Sequence, residues 1–123
     1  MVLATLVPCF AMARKRTKKT VSLITAASAD RYELYEGSVY DPDADHDFLV
    51  KTFQARRKRR PLTLREDFAG TSKLSALWIQ NHGKTKAWAV DLDSEPLRWG
   101  YERHLEPLGE VGKRVVQLQE NVL

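Results

Sequence analysis

The sequence predicts an α/β fold, a parallel sheet wound with helices, and three observations carry that prediction. From Pro61 onward short apolar runs alternate with stretches of helical periodicity. Two successive runs, Leu62–Glu66 and Lys86–Asp91, end in carboxylates, and the first is followed by a turn of small residues, Ala69-Gly70-Thr71-Ser72. Strand and helix alternating in this way imply right-handed crossovers and parallel strands. With 123 residues, 43% of them hydrophobic, the chain has material for one core and one domain.

Residues 1–29 read as a basic tail or targeting segment. They contain Arg14, Lys15, Arg16, Lys18 and Lys19 and no acid. The largely apolar stretch precedes the basic one, which reverses the order of a secretory signal, and its eleven residues are too few to span a bilayer. A cytoplasmic protein is expected. An organellar transit peptide and a start at Met12 are the alternatives that this composition permits. Cys9 is the one cysteine, so no internal disulfide forms and a reducing compartment is the natural reading.

Residues 30–60 read as an N-terminal helical segment. Asp41-Pro42 opens a helix, with Asp as cap and Pro at the first position. Asp43, Asp45 and Asp47 near its positive end complement Arg56 to Arg60 near its negative end. Phe48, Leu49, Thr52 and Phe53 form an apolar stripe, predicting that the helix packs on the sheet. The alternating aspartates do not make a calcium loop, because His46 stands where that loop needs Gly and Thr52 where it needs Glu. No metal site is expected. Tyr32 and Tyr35 precede this helix, as half-buried anchors or as a cover for a pocket.

In residues 61–123 the first strand, Leu62–Glu66, leads into a helix over Ser72–Asn81 with Leu74, Leu77 and Trp78 on one face and Gly83 as its stop. The second strand leads into a helix over Glu95–Leu105 that buries Leu97, Tyr101 and Leu105, with Asp93 or Ser94 as its cap. Pro107 and Gly109 close it, and Arg114–Gln119 is the third strand. His46, His82 and His104 fall in or beside helices with no shared face, and are expected at the surface.

A carboxylate at the C-terminal edge of a buried parallel strand needs a polar partner, so Glu66 and Asp91 together point to a ligand with hydroxyl or amine donors. A nicotinamide cofactor is excluded by the turn. The Gly-x-Gly-x-x-Gly fingerprint would place glycines where Phe68 and Lys73 stand.

Glu66-Asp67-Phe68-Ala69-Gly70-Thr71-Ser72 resembles the first motif of the class I S-adenosylmethionine-dependent methyltransferases, an acidic residue followed by Gly-x-Gly-x-Gly. It keeps the carboxylate and the middle glycine, with Phe68 and Ser72 replacing the other two. Trp88-Ala89-Val90-Asp91-Leu92-Asp93-Ser94-Glu95-Pro96-Leu97 resembles the second motif throughout. Asp30-Arg31-Tyr32-Glu33-Leu34-Tyr35-Glu36 with the later Leu-Arg-Glu-Asp-Phe is similar to a branch of that superfamily in which the variant first motif is usual. The resemblance covers roughly residues 30–123. It implies a Rossmann-like doubly wound sheet and S-adenosyl-L-methionine as cofactor. Glu66 would lie near the amino acid end of the cofactor, and Phe68, Ala69, Gly70 and Thr71 would line its methionine and ribose. Asp91 would accept from the ribose hydroxyls, Leu92 and Asp93 would border the adenine, and Asn121 would face the adenine amino group.

A doubly wound domain binds ligand where its strand order reverses, beyond the third strand, so residues 61–123 read as the first half of such a domain. The expectation is a cofactor-binding half with little activity alone, whose methyl acceptor and catalytic groups lie elsewhere. An alternative is a nucleic-acid-binding module using Arg56-Arg57-Lys58-Arg59-Arg60, disfavoured because no aromatic residue interleaves the run and an acidic block adjoins it. A non-catalytic interaction protein is the third reading. No membrane partner is expected.

Overall fold

The computed structural model describes residues 25–38 and 40–123, and the expectations for the basic segment up to residue 24, Cys9 included, lie outside them. Two helices, α1 (Arg31–Ser38) and α2 (Pro42–Arg57), precede β1 (Thr63–Asp67), α3 (Lys73–Gln80), β2 (Lys86–Asp91), α4 (Ser94–Gly100) and β3 (Val115–Gln119). The strands form one parallel sheet in the order β1-β2-β3, with Glu66 beside Ala89 and Ala89 beside Gln117. The chain is therefore α/β with a three-stranded parallel sheet, as expected.

Register divides the sheet into two faces. Leu64, Ala87 and Val115 lie in one cross-strand row, and α3 packs over it with Ala76, Trp78 and Ile79 in the core. Arg65, Trp88 and Val116 form the row on the opposite face and are all exposed, because no helix among the described residues covers them. Alternation of the side chains along a strand is what separates these rows.

Local chemistry explains most boundaries. Asp41 caps α2 by accepting Ala44 N–H at 3.1 Å, Pro42 takes the first helical position, and Lys58 ends the helix in the left-handed conformation. Asp93, rather than Ser94, caps α4 by accepting Glu95 N–H at 3.0 Å. Ser72 stands before α3 with φ 56° and makes no side-chain cap bond.

Several expectations need correction. Asp30 to Glu36 lies largely within a helix of its own, opened by Asp30, whose Oδ1 accepts Tyr32 N–H at 2.8 Å. The helix α2 packs chiefly on α3 rather than on the sheet, and Phe48 from its apolar stripe is 67% exposed. First-strand pairing starts and ends one residue later than expected, which places Asp67 inside β1. The helix expected over Glu95–Leu105 is α-helical only to Gly100, then continues as a π-helical turn (Tyr101–Leu105) and a 3₁₀ turn (Glu106–Leu108). Tyr101, expected to be buried, is exposed, while Leu97 and Leu105 are buried. Arg114 lies in a 3₁₀ turn before β3, where its guanidinium donates to the carbonyls of Ile79, His82 and Thr85. The histidines are not uniformly superficial. His46 is buried edge-on to Trp78, and His104 turns inward to a carboxylate.

Candidate functional site

β1 runs into α3 through a short turn in which every second residue adopts positive φ: Phe68 at 59°, Gly70 at 52° and Ser72 at 56°. For Phe and Ser this conformation is unfavourable and persists only where neighbours enforce it. The enforcing contacts come from β2. Ala69 N–H donates to the Val90 carbonyl at 2.9 Å, and Gly70 N–H donates to Asp91 Oδ2 at 2.7 Å. Asp91 Oδ1 accepts Asp93 N–H at 2.9 Å, so one side chain fixes both the turn after β1 and the turn after its own strand. An ionised carboxylate has about four lone-pair positions, and bonds among the described residues take two of them, one on each oxygen. The remaining two suit a pair of neighbouring hydroxyls.

Glu66 points to the helix-covered side of the sheet. Its Oε2 accepts both Ser75 N–H at 3.1 Å and Ser75 Oγ–H at 2.6 Å, and its Oε1 accepts the Tyr40 hydroxyl at 3.3 Å. Burial pushes this carboxyl above the usual range, and the bonds from Ser75 and Tyr40 only partly oppose that. Tyr40 is raised in turn, first by its own burial and then by the nearby Glu66 charge. Glu66 is thus braced within the fold, with Oε1 the less occupied oxygen.

A cleft of about 380 Å³ opens beside the turn, lined by Arg31, Tyr32, Tyr35, Gly70, Thr71 and Pro96. The volume lies within the range of small-molecule sites. Tyr32 and Tyr35 therefore stand across from Gly70 and Thr71. A Cβ at Gly70 would meet nothing within 4 Å, so within the fold its glycine answers to the positive φ and not to crowding. Gly100 serves by its size, since a Cβ there would lie 1.9 Å from the Thr71 carbonyl oxygen. The last turn of α4 thus presses directly on the turn that faces the cleft.

Around Thr71 the fold gathers a second polar group. Glu36 Oε1 accepts Thr71 Oγ1–H at 2.5 Å and faces His104 Nε2 at 2.7 Å, while Lys73 Nζ lies 3.3 Å from Glu36 Oε2. Burial alone would raise Glu36, but the bonds from Thr71 and His104 and the charges of His104 and Lys73 outweigh it and hold the carboxyl below its usual value.

The expected site residues separate as follows. Glu66, Ala69, Gly70, Thr71 and Asp91 converge at the carboxyl edge of β1 and β2, linked directly or through the turn. Phe68 and Leu92 sit at the two strand ends, 74% and 69% exposed, so both side chains are accessible there. Asp93 is engaged as a helix cap. Asn121 follows β3 and is exposed, and its Oδ1 accepts Leu123 N–H at 3.0 Å, so its amide is turned to its own chain. Glu36, Tyr40, Ser75, Gly100 and His104 were missed. Of these only Gly100 carried a signal, a lone glycine inside a helical pattern, which marks close packing.

A different depression, about 390 Å³ and apolar, lies at the amino end of β1 between Phe48, Phe53, Arg56, Arg57, Pro61 and Trp78. It is remote from the carboxyl edge. Among the described residues no helix is long and apolar enough to cross a membrane. Compared with protein-family models, with curated proteins and with solved structures, the chain gives no match.

Proposed function

We propose that this chain forms the S-adenosyl-L-methionine-binding part of a class I methyltransferase with a Rossmann-like sheet, acting in the cytoplasm. The observation that carries the reading is the Gly70–Asp91 bond, which sets a small-residue turn beside a cleft and leaves one lone pair on each Asp91 oxygen for a vicinal diol. In this reading Asp91 receives the two ribose hydroxyls through short charge-assisted bonds. Phe68 to Thr71 line the methionine and ribose, with Gly70 permitting close approach of the backbone. Glu66 Oε1 takes the cofactor's amino group. Leu92 offers apolar surface beside the adenine, and Asp93, engaged as the cap of α4, borders it. Asn121 requires a turn of its side chain to reach the adenine amino group.

The cofactor supplies an already activated methyl group, so the protein's task is to hold it in line with an acceptor and exclude water. Binding is tested by titrating S-adenosylhomocysteine into the chain by calorimetry. Saturable binding that Asp91→Asn weakens tenfold or more supports the reading, and no binding to the wild-type chain refutes it.

A second reading has one favouring observation. Arg56 and Arg57 share the apolar depression with Phe48 and Phe53, and the Arg59 guanidinium lies 5.0 Å from the Phe53 ring centre. The aromatic surface that the linear sequence does not interleave with the basic run is thus supplied by the preceding helix turns, and a single nucleic-acid strand could stack there. Affinity for single-stranded RNA that falls steeply with salt and is lost when residues 56–60 are neutralised supports it.

A further inference from the structure

The helix α1 is the lightly seated helix at the amino side of the fold: none of its residues is buried. Its outer fixtures are exposed ion pairs, Arg31 with Glu95 at 2.5 Å and Glu33 with Arg103, of the kind that contribute little in water. Tyr32 lies against Trp99, with ring centres 5.3 Å apart, and the Trp99 indole N–H donates to Asp30 at 2.8 Å. The innermost fixture is Glu36, whose side chain is 8% exposed. It reaches Thr71 in the turn, Lys73 at the start of α3 and His104 in the π-helical turn, so one carboxylate ties α1 to two stretches of chain that are distant in sequence. The same helix supplies Arg31, Tyr32 and Tyr35 to the cleft, across from Gly70 and Thr71.

We propose that α1 is a lid over this cleft and that Glu36 is its latch, a positioning residue that closes the lid and orders the Thr71 turn together. The inference rests on the reading that the cleft takes a ligand. A segment held mainly by polar contacts and one aromatic edge, with no buried residue of its own, opens readily by local fluctuation. When Glu36 lets go, Thr71 loses its partner, so lid opening and loosening of the turn are one event. Ligand seated on the turn is enclosed while the latch holds.

Hydrogen exchange measured by mass spectrometry on the free chain tests the latch without any ligand. Glu36→Gln is expected to speed exchange tenfold or more in residues 32–38 and 69–73 together while leaving β2 unchanged, the size expected when a charge-assisted bond is lost. His104→Ala is expected to speed the same two segments, and His104→Gln, which keeps an N–H donor, to retain most of the protection. Unchanged exchange in residues 32–38, or faster exchange spread evenly over the chain, overturns the proposal. Dissociation of S-adenosylhomocysteine is the second readout, expected to be faster in Glu36→Gln. Wild-type chain that shows the coupled exchange but does not bind this probe removes the cofactor reading and leaves the latch standing.

Discussion

Gly70 N–H donates to Asp91 Oδ2 at 2.7 Å, so the end of the second strand holds the turn that follows the first. The bond explains why a carboxylate belongs at this strand end even without ligand: it offsets the strain of a turn with three positive φ values. Asp91→Asn places an amide or a single oxygen where two N–H donors converge. It is expected to destabilise the chain by about 1.5–3 kcal/mol, the range for hydrogen bonds to charged groups, measured by urea unfolding.

Two glycines at the turn separate conformational from steric need. Gly70→Ala meets no neighbour and is expected to lose about 1–2 kcal/mol through its positive φ. Gly100→Ala drives a Cβ into the Thr71 carbonyl, and overpacking of this kind costs about 1–3 kcal/mol or more. A thermal melt in which Gly100→Ala is as stable as the wild-type chain contradicts the close approach of α4 to the turn.

Glu66 separates stability from binding. Its carboxyl is raised mainly by burial, so the folded chain holds this proton more tightly than the unfolded one. The contribution is present at acid pH and is lost as pH rises from the ordinary carboxylate value through the raised one. Glu66→Gln keeps an acceptor for Ser75 and offers its amide to Tyr40. Stability at neutral pH is therefore expected to hold or rise while affinity for S-adenosylhomocysteine falls about tenfold, as suits loss of one charge-assisted bond. Equal loss of both would show Glu66 to be structural only.

Glu36 has the opposite sign. Its carboxyl is depressed because the bonds from Thr71 and His104, with the charges of His104 and Lys73, outweigh the burial that would raise it. Its contribution is full above the ordinary carboxylate value and is lost as pH falls through the depressed one. The groups facing it are Thr71, Lys73 and His104, and Asp43 and Arg103 line the adjoining recess with the last two. The stability gap between wild type and Glu36→Gln, followed by urea unfolding against pH, is expected to close on acidification. A gap independent of pH in the acid range contradicts the ion-pair account.

What was legible in the sequence was local. Asp41-Pro42 announces α2 because cap and first turn are adjacent, and the strands of the sheet follow from short apolar runs between helical stretches. The turn and its two carboxylates were legible by composition, but not the bond between Gly70 and Asp91. The helix α1 escaped because it has no apolar stripe, its faces being committed to ion pairs and aromatic edges. The π-helical turn escaped because nothing in Tyr101–Leu105 distinguishes it from an ordinary helix end. It is this turn that carries His104, bonded to Glu36 far away in sequence, and such pairs exist only after folding.

In the proposed function Asp91 and the Gly70 turn form the cofactor site. The most direct measurement is calorimetric titration of S-adenosylhomocysteine into the wild-type chain and into Asp91→Asn, each first shown to be folded by circular dichroism. Saturable binding to wild type at one site is expected, with a loss of tenfold or more in the variant. Absence of binding to folded wild-type chain, or equal binding to both, contradicts this assignment.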